Sequence, residues 1–118
     1  MPATYTKAKL SGSTNGRGIK VVQTATAGTL IHTAVSGTTQ FDEVWLYCIN
    51  TSVSSVKLTI EYGGVSVPSE IVEFTVPAED GLYAIIPGLV IQNGLVIRAF
   101  AATTNVLIIH GFVNKIVN

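Results

Sequence analysis

Charge is what this chain has least of. Only 12% of its residues are Asp, Glu, Lys or Arg, against about a quarter in an ordinary soluble domain. The formal charges cancel, seven basic against seven acidic, so no global field draws the chain toward nucleic acid. A single cysteine, Cys48, excludes an internal disulfide framework. Set inside an apolar run, it reads as a small buried hydrophobe. No apolar run reaches the ~20 residues of a membrane helix. Pro87, Gly88, Gly94, His110 and Gly111 interrupt the longest candidates. The opening Met1-Pro2-Ala3-Thr4-Tyr5 has neither the charged nor the apolar region of a signal peptide.

Reactive residues are scarce as well. There is no G-x-S-x-G elbow, no phosphate-binding loop and no G-x-G-x-x-G. A Ser-His-Asp triad can be assembled on paper from His32 or His110, but triads are defined by geometry and serine is abundant here. Two histidines without clustered Cys or carboxylates make no metal signature. Asp42-Glu43 and Glu79-Asp80 are adjacent pairs, and neighbours on a strand point to opposite faces. The expectation is a non-enzyme with no cofactor and no metal.

What the chain does have is strand-forming residues. Hydrophobic residues make up 47%, rich in Val and Ile, with Ser and Thr between them. Val56, Leu58, Ile60 and Tyr62 alternate with Lys57, Thr59 and Glu61, the period of a half-buried strand. Val72, Phe74 and Val76 repeat the device. Val44 to Ile49 is a near-continuous apolar run, as in a strand covered on both faces. Further strands are expected over 19–26, 29–35, 82–86, 89–91, 95–101 and 105–117, the last bent at Gly111. Asn93-Gly94 is a strong hairpin signal, so 95–101 is expected to pair back on 89–91. The fold class is all-β: an antiparallel sandwich of about eight strands, jelly-roll-like ahead of immunoglobulin-like. The expected core is led by Val44, Leu46, Val56, Leu58, Ile60, Val72, Phe74, Val76, Ile97 and Ile108.

Two regions are expected, an arm over 1–17 and a sandwich domain over 18–118. The arm is rich in Gly, Ser and Thr without periodicity. Lys7, Lys9, Arg17 and Lys20 all fall in the first twenty residues, which contain no acid. They are candidates for contact with an acidic partner. Trp45 and Tyr47 share one face of the central strand, and with His32 and His110 they are candidates for a subunit interface. The apolar surplus points the same way, because large exposed apolar patches are rare on monomers.

The layout resembles a known type. A basic start leads to Gly18-Ile19-Lys20-Val21-Val22 and Gly28-Thr29-Leu30-Ile31-His32-Thr33-Ala34. Asp42-Glu43-Val44-Trp45-Leu46-Tyr47-Cys48-Ile49-Asn50 and Leu58-Thr59-Ile60-Glu61-Tyr62-Gly63-Gly64 follow. The series is similar to small virion proteins of tailed bacteriophages, above all the head decoration or cement proteins. That resemblance implies a β-sandwich, commonly trimeric, made in the host cytoplasm and bound to the outside of the capsid. Its partner would be the major capsid protein, whose neighbouring subunits it clamps; no nucleic acid and no membrane are implied. The same layout occurs in tail and fibre accessory modules, which bind a carbohydrate or receptor.

Overall fold

The computed structural model describes residues 4–117. They form nine strands and no helix: β1 (Thr4–Lys9), β2 (Ile19–Lys20), β3 (Thr29–Thr33), β4 (Gln40–Asn50), β5 (Val56–Tyr62), β6 (Ile71–Val76), β7 (Leu82–Ile91), β8 (Val96–Ala101) and β9 (Leu107–Val117). Two antiparallel sheets pack face to face as a sandwich. One sheet runs β1-β9-β4-β7, with β2 also on β9; the other runs β3-β8-β5-β6. Six of the eight links cross between the sheets, and only β1–β2 and β5–β6 join sequence neighbours within one. The accessible surface is 6270 Å², close to the roughly 6,000 Å² expected at this mass.

The period-2 pattern explains which side chains meet. Val44, Leu46 and Cys48 of β4 and Leu107, Ile109 and Val113 of β9 face inward. They meet Leu58 and Ile60 of β5, Ile97, Ala99 and Ala101 of β8, and Val76 of β6. Val72 and Phe74 are partly buried and pack against this cluster. Ile108, expected in the core, is half-buried on the outer face instead, because it pairs with Ile49 rather than with an inward residue. β9 does not break at Gly111. Its register with β4 runs unshifted from Leu107 to Val117. Glycine is required there by close approach: a Cβ would lie 2.1 Å from the Trp45 carbonyl oxygen.

Four segments depart from the sequence expectation. The strand expected over 19–26 is kept only at Ile19–Lys20, and the rest is loop. Asn93 and Gly94 do turn with positive φ, 64° and 67°. However, β7 pairs with β4, while β8 pairs with β3 and β5, so the turn links two sheets and closes no hairpin. The turn's amides instead reach the β3–β4 loop: Asn93 N–H donates to Gly37 O and Gly94 N–H to Val35 O. Residues 82–91 form one strand rather than two. It absorbs Pro87-Gly88 by a bulge at Gly88, with a second bulge at Ile85.

The N-terminal segment also differs. Thr4–Lys9 is a strand paired with Phe112–Val117. Leu10 is buried in the core. Gly12 N–H donates to Ile31 O, and Thr33 N–H to Ser11 Oγ. From Thr4 onward, then, the stretch expected as an arm is tied into the sandwich by strand pairing, a core side chain and cross-links to β3.

Candidate functional site

The outer face of the five-stranded sheet collects most of the residues singled out from the sequence. Cross-strand partners share a face, so the register sets out its rows. Lys7 lies beside Asn114, Glu43 and Val90; Lys9 beside Phe112, Trp45 and Pro87. His110, Tyr47 and Ala84 form the next row, and Lys20, Ile108, Ile49 and Leu82 the last. Arg17 is exposed in the loop just before β2. That loop rests on the same face, since a Cβ at Gly18 would touch Ile108 and the His110 ring.

The face is therefore graded. Its β1–β2 flank is basic, with Lys7, Lys9 and Lys20 exposed. Its middle is aromatic and half-buried. The Trp45 and Phe112 rings stack with centroids 6.1 Å apart and planes 11° from parallel. Lys7 Nζ stands 4.2 Å over the Phe112 ring, a cation–π contact. The β7 edge is aliphatic, with Leu82, Ala84, Pro87 and Val90 exposed.

Trp45 is held in place from several sides. Its Nε1–H donates to Glu43 Oε1 at 2.9 Å, and Asn114 Nδ2 donates to the same oxygen at 2.9 Å. These donors hold the Glu43 carboxyl below the usual carboxylate range, Asn114 contributing most. The indole lies over Gly88, where a Cβ would sit 2.9 Å from Trp45 Cζ2. The β7 bulge thus makes room for the ring, and Gly88 supplies the φ of 89° that the bulge needs.

His32 is not part of this surface. The bulge at Ile31 turns both Ile31 and His32 inward, and His32 is 2% exposed. Its Nδ1 accepts from Ser11 N–H at 3.0 Å, and its Nε2 contacts Asp42 Oδ2 at 2.7 Å. Since Nδ1 is an acceptor, the proton sits on Nε2 and points at the carboxylate. Asp42 is fully buried; its Oδ2 also accepts from Val35 N–H, and its Oδ1 lies 3.4 Å from Lys115 Nζ. The group binds β3 of one sheet to β4 and β9 of the other. Ser11, His32 and Asp42 make a triad by composition only. Both imidazole nitrogens are occupied, and the serine contributes its backbone amide rather than its hydroxyl. His110 stands on the opposite sheet, so the two histidines do not share a site. Among the described residues no three of His, Cys, Asp and Glu come together as metal ligands.

Sequence reasoning missed Phe112 and Asn114, and weighed Glu43 only as the neighbour of Asp42. Their signal was the alternation of Ile108, His110, Phe112 and Asn114, hidden by assigning Ile108 inward. It also missed that Thr59 and Glu61, on the outer face of the four-stranded sheet, are buried. Gly28 N–H donates to Glu61 Oε1 at 2.7 Å, and the Thr26 hydroxyl donates to Oε2. The β2–β3 loop is thereby folded over that sheet. No protein-family model, no curated protein and no solved structure matches this chain.

Proposed function

We propose that this chain is a structural virion protein that decorates a bacteriophage head, docking on the major capsid protein through the outer face of its five-stranded sheet. The observation that carries the reading is the convergence of Lys7, Lys9, Lys20, Trp45, Tyr47 and His110 on that one face. Stacked aromatics flanked by cations suit an acidic, partly apolar partner: the rings supply contact area and the lysines supply orientation and steering. The strand order supports a jelly roll. Counting β1 and β2 as one interrupted strand, each sheet takes alternate pieces of two Greek keys. The exposed aliphatic edge of β7 is the surface we assign to subunit contacts in a homotrimer, so that three docking faces act together on a symmetry axis of the shell.

The test is co-sedimentation with heads built from the major capsid protein of the phage that encodes this chain. We expect binding that weakens as salt rises and falls when Lys7, Lys9 and Lys20 are replaced by Gln. We expect a trimer in analytical ultracentrifugation. A strict monomer that leaves the heads bare at micromolar concentration overturns the proposal and favours a tail or fibre accessory module.

A further inference from the structure

The sandwich has a second built surface on its other side. A cleft of about 400 Å³ opens on the outer face of the four-stranded sheet, within the size range of small-ligand sites. One wall is the β2–β3 loop, with Thr24 and Thr26; the other is the β5–β6 loop, with Val67 and Pro68. Phe100 and Ile71 supply apolar floor, and Glu61 and Glu73 supply carboxylates.

We propose that this cleft binds a neutral sugar ring of a glycan. A pyranose has a face of C–H groups and a rim of hydroxyls, and the cleft offers both complements. Phe100, Ile71 and Pro68 present carbon surface for the ring face. Glu73, half exposed, and the exposed Thr24 and Thr26 present acceptors and hydroxyls for the rim. Glu61, 1% exposed, is a positioning residue: its two bonds to Gly28 and Thr26 fix the wall that carries those threonines. A cationic guest fits less well, because both carboxylates already have partners within the chain. Glu61 accepts from Gly28 N–H and the Thr26 hydroxyl, and Lys57 Nζ lies 2.8 Å from Glu73 Oε2. What remains unsatisfied is hydrogen-bonding capacity, which hydroxyls use. The site goes beyond capsid docking and needs none of it. If the five-stranded sheet faces the head, this cleft faces outward.

The experiment is an NMR titration of the whole chain with glucose, galactose, mannose and N-acetylglucosamine. We expect at least one of them to shift signals of Thr24, Thr26, Ile71 and Phe100 while leaving Trp45 and Phe112 unmoved. Phe100→Ala should weaken that binding roughly tenfold, the loss of one stacked aromatic contact. Should Phe100→Ala fail to fold, Glu73→Gln and Thr24→Val carry the test, each expected to weaken binding severalfold. Capsid attachment should be untouched by any of these variants, so either reading can fail alone. The proposal is overturned if no sugar moves the cleft signals, if the shifts fall on the opposite sheet, or if lysine amide binds the cleft and the sugars do not.

Discussion

Replacing Gly111 by Ala adds one methyl group of β9 against the backbone of β4. The new Cβ would lie 2.1 Å from the Trp45 carbonyl oxygen and 3.2 Å from both Leu46 Cα and Cδ2. An ordinary C···O contact is about 3.3 Å or more, so the strands must part by roughly 1 Å. No flexible side chain can swing aside, because the atom struck is backbone. Overpacking a rigid site costs about 3 kcal/mol, at the top of the usual range. Unfolding entropy of about 2.1 cal/mol/K per residue over 118 residues then converts this to a fall in Tm of about 12 °C. Gly37→Ala is the control. It has φ +81° and nothing within 4 Å, so it carries backbone strain without a clash and should cost only about 1 kcal/mol. Differential scanning calorimetry reads both, and Trp45 emission should change in the Gly111 variant alone. A Gly111→Ala protein melting within about 2 °C of the parent would refute the close approach of these strands.

Three further outcomes follow from the same geometry. Leu58 is fully buried, so Leu58→Ala should lose about 2–5 kcal/mol in denaturant unfolding; a loss below about 1 kcal/mol would mean that β5 faces the other way. Burial pushes the Cys48 thiol up to about 12, which leaves about one thiolate in ten thousand at pH 8. A disulfide reagent should therefore label the unfolded chain and spare the native one; native labelling at the rate of a free thiol would contradict this. Glu43 titrates below its ordinary 4.5 in the folded state. Its stabilising effect is therefore present above that value and lost as pH falls through the lower folded one. Trp45 emission should follow with a midpoint under 4.5, and Glu43→Gln should abolish the transition.

The strands with clean alternation were legible because one buried face imposes period 2, and β5 carries it over 56–62 and β6 over 72–76. β1 was not legible. Thr4-Tyr5-Thr6-Lys7-Ala8-Lys9 alternates, but its strand is almost wholly exposed, so no apolar stripe marks it. It is held by the β9 backbone, which any sequence could supply. Asn93-Gly94 fixed its own dihedral angles and nothing further, because sheet membership depends on which faces find each other across the core. The proposed docking face was legible one strand at a time. Trp45 and Tyr47 on one side of β4 were plain, and the lysines stood out by their lack of acids. That they lie side by side is a matter of register, which pairs Lys9 with Phe112 and Phe112 with Trp45. His32 misled because a bulge turned it inward, and a bulge has no reliable sequence mark.

The two free edges of the five-stranded sheet differ in kind and agree in effect. β1 presents Lys7 and Lys9, while β7 carries Pro87 and two bulges. Neither offers the flat, regular row of amides and carbonyls on which a further strand could grow. Copies held at high local density can therefore touch through side chains without templating one another. In the homotrimer proposed above, association would then stop at a closed ring rather than run on into fibres. For the capsid-coating role proposed above, that condition comes before any question of affinity.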